Sequence, residues 1–145
     1  MFEKLNYIEL SGKAYPIKCD ILVLEKIQDK YGDFSDFEDK LIGFTPLLDE
    51  EGEQVRNEEG LRMGTFATPD IEVLKDALFW MMEEGAEIKK DSGEDAEPLE
   101  EKKILREIDI PISEVKDILH DEFSRCFYRK NGKTTQRENP EKGNK

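Results

Sequence analysis

Four large apolar side chains follow one another at Phe79-Trp80-Met81-Met82, near the end of a helical pattern that opens at Thr68-Pro69-Asp70. Successive side chains step about 100° around a helix axis, so four in a row cannot share one narrow stripe. A helix carrying them is either packed on several sides or turns an oily face towards another protein. Ile71, Leu74, Leu78 and Met81 or Met82 fall on one stripe, which Val73, Ala77 and Trp80 widen. Thr68 suits the cap, Pro69 suits the first helical position, and Asp70 and Glu72 suit the positive end of the helix. Gly85 is expected to mark an end or a weak point, with Ala86 and Ile88 continuing briefly.

The segments around this helix read as one α+β domain. Asn6 to Lys18 predicts a β-hairpin turning at Ser11-Gly12-Lys13, with Pro16 favouring an edge position. Asp20 is placed to cap a helix bearing Ile21, Leu24, Ile27 and Tyr31, and Gly32 is placed to end it in the left-handed region. A short second helix is expected over Ser35 to Ile42, using Phe34, Phe37 and Leu41. Another is expected within Pro98 to Ile108, contacting through Leu99, Ile104, Leu105 and Ile108. Ser113 suits the cap of a last helix whose face is Val115, Ile118, Leu119, Phe123, Cys126 and Phe127. Leu61, Met63 and Phe66 suggest one more short strand. Segments 49–60 and 89–97 are expected to be mobile and acidic within a domain spanning 1–130, and 131–145 is expected to be a disordered polar tail. No internal repeat is apparent.

Charge narrows the function. Charged residues make up 39 % of the chain against 37 % hydrophobic, with a formal net charge of −13. Such a chain is repelled by phosphate backbones and anionic lipid, so neither nucleic acid nor membrane is an expected partner. No basic region followed by an apolar core opens the sequence, and no apolar run approaches the roughly 18 residues of a span. A cytoplasmic protein is the expectation.

Signals for chemistry are weak. His120, the single histidine, falls off the apolar stripe of its helix and is expected to be exposed, with no catalytic or metal role. The window Asp91 to Lys102 meets only fragments of a calcium loop, with Ala96 where glycine belongs and Lys102 where the bidentate glutamate belongs. Solvated charge is the better reading of the acidic runs. Cys19 and Cys126 are expected to be buried or half-buried free thiols. The cations from Arg125 to Lys145 complement a helix C-terminus, or form a docking arm for an acidic partner. No catalytic, cofactor-binding or metal-binding residue is assigned. The candidate partner-binding residues are Leu78, Phe79, Trp80, Met81 and Met82, since methionine-rich surfaces adapt to several partner sequences. Such a run is more often simply core, and the adaptable surface is the functional alternative.

As a set, the hairpin Tyr7 to Lys18, the helix Leu24 to Gly32 and the run Leu78 to Ile88 resemble the tail assembly chaperones of long-tailed bacteriophages and prophages of Gram-positive hosts. The resemblance spans roughly residues 5 to 128. It implies a small non-enzymatic protein, without cofactors, that binds the tape-measure protein and helps the tail-tube protein polymerise around it in the host cytoplasm. It carries no catalytic residues over to this chain. A structural tail subunit, of tube or terminator type, and an adaptor or regulatory module are the alternatives.

Overall fold

The computed structural model describes residues 5–95 and 97–128. The expected tail at 131–145 and most of the C-terminal cations lie outside the described residues. The fold is α+β, with an N-terminal antiparallel hairpin packed on helices. Strands β1 (Asn6–Leu10) and β2 (Lys13–Ile17) pair in register from Asn6↔Ile17 to Leu10↔Lys13. Ser11 and Gly12 close the turn at φ 51° and 80°, the two positive values of the hairpin turn that matches strand twist. Strand alternation sends Ile8, Leu10, Tyr15 and Ile17 into the core.

Helix α1 (Ile21–Tyr31) is capped by Asp20, whose carboxylate accepts the Leu22 and Val23 N–H groups, and Gly32 ends it at φ 80°. Its buried residues are Val23 and Ile27, with Leu24 and Tyr31 packed beside them. Ile21, expected on the inward stripe, is 74 % exposed, because the inward face runs through Val23, two residues on and about 200° round the helix from it. Helix α2 (Phe34–Ile42), capped by Asp33, buries Phe37 and Leu41. Helix α4 (Glu101–Arg106) buries Ile104. Helix α5 (Ile112–Phe127) buries Val115, Leu119 and Phe123. Its cap is Pro111 and not Ser113, which lies inside the first turn.

The long helix α3 (Ile71–Asp91) touches β2, α1, α2 and α5. Asp70 caps it by accepting the Val73 N–H at 3.1 Å, so Thr68 and Pro69 lie before the helix. Gly85 neither ends nor weakens it. A Cβ there would lie 2.3 Å from the Pro16 carbonyl oxygen and 2.9 Å from the Ile17 nitrogen. One turn earlier, the Lys18 N–H donates to the Met81 carbonyl at 3.0 Å. Backbone therefore meets backbone where β2 crosses α3, and only glycine permits the approach.

Between α2 and α3 lies a compact three-lobed β unit. Strands β3 (Phe44–Pro46) and β4 (Gly64–Phe66) pair as its stem. Beyond the stem the chain makes two further loops, with bridges Leu48↔Gln54 and Arg56↔Arg62. Three backbone hydrogen bonds close a ring at the centre: Leu47 N–H to Met63, Met63 N–H to Val55 and Val55 N–H to Leu47, at 2.8, 2.8 and 2.9 Å. The loops are copies of one another. Asp49 accepts the N–H groups of Glu51 and Glu53, and Asn57 accepts those of Glu59 and Leu61. Gly52 and Gly60 complete the turns at φ 83° and 85°. The chain thus does contain a short repeat, Leu47 to Gln54 and Val55 to Arg62, offset by eight residues.

Replacing Gly85 by alanine tests the crossing. Alanine gains about 1 kcal/mol of helix propensity in an unhindered helix. Here the methyl group meets backbone that cannot swing aside, so a net loss of about 2 kcal/mol is expected. A lowered urea midpoint at unchanged slope would show it; equal or greater stability would rule out the close approach.

Candidate functional site

The five residues favoured by the sequence divide in the structure. Leu78, Met81 and Met82 are wholly buried, so they are core and not an available partner surface. Their helix is covered on several sides, most closely by β2, and that is why the run can be apolar all round. Phe79 and Trp80 are half-buried. Trp80 packs against the core and meets the Tyr31 ring edge-on, with centroids 6.4 Å apart. The Tyr31 hydroxyl is held in turn by Asp76 at 2.6 Å.

Accessible apolar surface is concentrated on the three-lobed arm. No residue from 44 to 66 is buried. Leu47 is 53 % exposed, Leu61 62 % and Met63 41 %. Strand alternation and the equivalence of the three ring positions set Leu47, Val55, Leu61 and Met63 on one face. The other face carries Phe44, Leu48, Arg62 and Phe66; Arg62 fastens it to the body, while Leu48 and Phe66 stay 54 % and 71 % exposed. Arg62 makes two hydrogen bonds to the Asp39 carboxylate of α2, at 2.8 and 2.9 Å, and its guanidinium lies 4.8 Å from the centre of the Phe44 ring. Phe44 and Phe66 pair across the stem at 5.1 Å. Gly64 lets Phe44 lie flat, since a Cβ there would come within 2.5 Å of its ring. A forked guanidinium on a buried carboxylate fixes direction as well as contact.

Leu61 and Met63 were legible as an alternating pair leading into a short strand, but dense charge made the segment before them read as a loop. The signal that was present and passed over is the pair of Asx-Glu-Glu-Gly turns at Asp49 and Asn57.

Titratable groups gather elsewhere. Glu38 receives the His120 Nε2 contact at 2.7 Å and the Tyr128 hydroxyl at 2.6 Å. His120 is therefore half-buried, a link between α2 and α5, where the sequence suggested an exposed side chain. Burial alone would raise the Glu38 carboxyl, but the bonds from His120 and Tyr128 outweigh it and its pKa is lowered. Ser124 Oγ lies 3.5 Å from the same imidazole nitrogen that meets Glu38. A proton relay needs hydroxyl and carboxylate on opposite ring nitrogens, so this trio does not form one.

Glu122, 2 % exposed, accepts the Asn6 side-chain amide and the Cys19 backbone N–H at 2.8 Å each, and pairs with Arg125. It clamps α5 to the open end of the hairpin, where the first strand begins and the second leaves. Cys19 and Cys126 are free, one buried and one half-buried, and their thiols hydrogen-bond to each other. Burial pushes both thiols up, away from the reactive thiolate. A cleft of about 420 Å³ opens between the hairpin, α3 and the chain leading into α4, lined by Tyr7, Tyr15, Met82, Lys89, Leu99 and Ile104. Two of its three cations are engaged within the chain, Lys13 with Glu97 and Lys89 with Glu94. Among the described residues no group of three or more His, Cys, Asp or Glu side chains is arranged to hold a metal ion, and no helix is long and apolar enough to cross a membrane.

No protein-family model, curated protein or solved structure matches this chain.

One carboxyl on α3 gives a pH prediction. Burial, followed by a hydrogen bond to the Asp20 carboxylate and its charge, pushes Glu84 up to about 7. Between the ordinary carboxylate range and about pH 7, the folded chain holds a proton that the unfolded chain has lost. Stability from this group is thus full in acid, falls as pH rises through that window and levels out above it. Glu84→Gln should flatten this part of the melting-temperature profile and stabilise the chain at pH 8. Identical pH profiles for the two proteins would exclude the shared proton.

Proposed function

We propose that this chain is a non-enzymatic assembly chaperone that reversibly binds phage tail components, the tape-measure protein and the tail-tube protein, in the host cytoplasm during tail assembly. The observation that carries the reading is the apolar face of the arm, held out from the body of a strongly acidic chain. Scattered exposed apolar residues are ordinary, but a cluster on one rigid unit marks a surface that meets another chain. The resemblance of the hairpin, first helix and Phe79–Met82 run to tail assembly chaperones supplies the setting. The binding surface is moved in this reading from the long helix to the arm, because Leu78, Met81 and Met82 are needed in the core.

Reversible binding suits such a surface. A few exposed apolar side chains give moderate affinity, which lets a client be covered and later surrendered to the growing tube. The net charge of −13 keeps a loaded complex soluble and favours cationic clients. A tube or terminator subunit must instead self-associate, and charge of one sign works against that.

Co-expression with the tape-measure protein encoded beside this chain tests the reading. The client should become soluble and co-purify with it. If the client is equally soluble in its absence, the chaperone reading fails. Light scattering showing rings of this chain alone would favour the structural alternative.

A further inference from the structure

We infer that the outward face of the arm, Leu47, Val55, Leu61 and Met63, is a docking surface for a cationic amphipathic polypeptide, one with an apolar stripe flanked by lysine or arginine. As an account of how a client is held, this rests on the chaperone reading.

Charge around the patch selects the occupant. Asp49, Glu50, Glu51, Glu53, Glu58 and Glu59 are all exposed and belong to the two loops that border it. The arm holds only two cations against these six carboxylates, and both are engaged: Arg62 on Asp39 and Arg56 on the Gly60 carbonyl at 2.8 Å. A neutral apolar segment laid on this face would strip water from the carboxylates without replacing it. A segment flanked by Lys or Arg covers the apolar side chains and pairs the rim at the same time. A second copy of this chain brings a second acidic rim and another net charge of −13 to the same place, so self-association is disfavoured. Nucleic acid and anionic lipid are repelled for the same reason.

The arm is also prepared for this use. The ring of three backbone hydrogen bonds at Leu47, Val55 and Met63 and the duplicated Asx turns hold its backbone without help from a core. Its exposed side chains are therefore displayed on a fixed frame, which lowers the ordering cost of binding.

The test uses the full chain and a labelled helical peptide of leucine and lysine, with leucine on one face, followed by fluorescence anisotropy at physiological salt. A leucine–glutamate peptide and a lysine–serine peptide serve as probes lacking one feature each. The leucine–lysine peptide should bind and the other two should bind far more weakly. The double variant Leu61→Ser, Met63→Ser should weaken binding about tenfold or more, a change that costs the core nothing because both residues are exposed. Glu50→Gln, Glu51→Gln, Glu58→Gln and Glu59→Gln together should weaken it similarly and reduce its salt dependence. A charge-matched control on α1 and α5, Glu25→Gln, Asp29→Asn, Glu114→Gln and Asp121→Asn, should change affinity less than about threefold.

Equal losses in the two charge variants, or an unaffected double variant, would overturn the inference and leave only general attraction to an acidic protein. A dimer of the unmutated chain that the double variant splits would overturn it too, by making a second copy the occupant. The two readings fail separately. If the tape-measure client co-purifies equally well with the arm variants, the docking surface is wrong and the chaperone reading stands. If the peptide maps to the arm but the client's solubility ignores this chain, the surface stands and the chaperone reading falls.

Discussion

Where β2 crosses α3, main chain lies directly on main chain, at Gly85 under the Pro16 carbonyl and at Met81 beneath the Lys18 N–H. Two elements this close bury everything on the helix face between them. Ile17 and Tyr15 come down from the strand, and Leu78, Met81 and Met82 come up from the helix. The remaining helices close the other sides, α5 bringing Val115, Leu119 and Phe123 and α2 bringing Phe37 and Leu41. The chain has a modest apolar share, so its core depends on density more than on volume.

The same crossing decides where apolar surface is left over. With the long helix committed to the core, the largest exposed apolar side chains outside the helix ends are those of the arm. That unit needs no core. Its backbone is held by local turn chemistry and a closed ring of hydrogen bonds, and it is steered by one forked ion pair between Arg62 and Asp39. A segment built in this way can show leucine, methionine and phenylalanine to solvent without losing its shape. The acidic loops around it keep the exposed surface from becoming a general site of aggregation.

Buried and half-buried polar groups do the joining that a thin core leaves undone. Glu122 gathers a side-chain amide, a backbone N–H and a guanidinium at the place where hairpin, α1 and α5 meet. Glu38 does the same for α2 and the end of α5 through His120 and Tyr128. Both carboxylates lie within helical segments whose apolar periodicity is clear, and periodicity says nothing of polar residues turned inward. Sequence patterns that sort residues by hydropathy assign such groups to the surface, and only partners such as Asn6 and His120, more than eighty residues away in chain order, show otherwise.

Local chemistry was therefore the part of this protein written plainly in its residues. The turn at Ser11-Gly12, the cap at Asp20, the stop at Gly32 and the inward face of the last helix depend on near neighbours and can be read from them. The Asx-Glu-Glu-Gly repeat belongs to the same class, although dense charge concealed it. Tertiary structure alone decided that Gly85 is a contact and not an end, that Ile21 faces solvent, and that Met81 and Met82 are core. Those outcomes turn on which element arrives from a distance and how near it comes. A helical repeat specifies a face, but what covers that face is settled by packing.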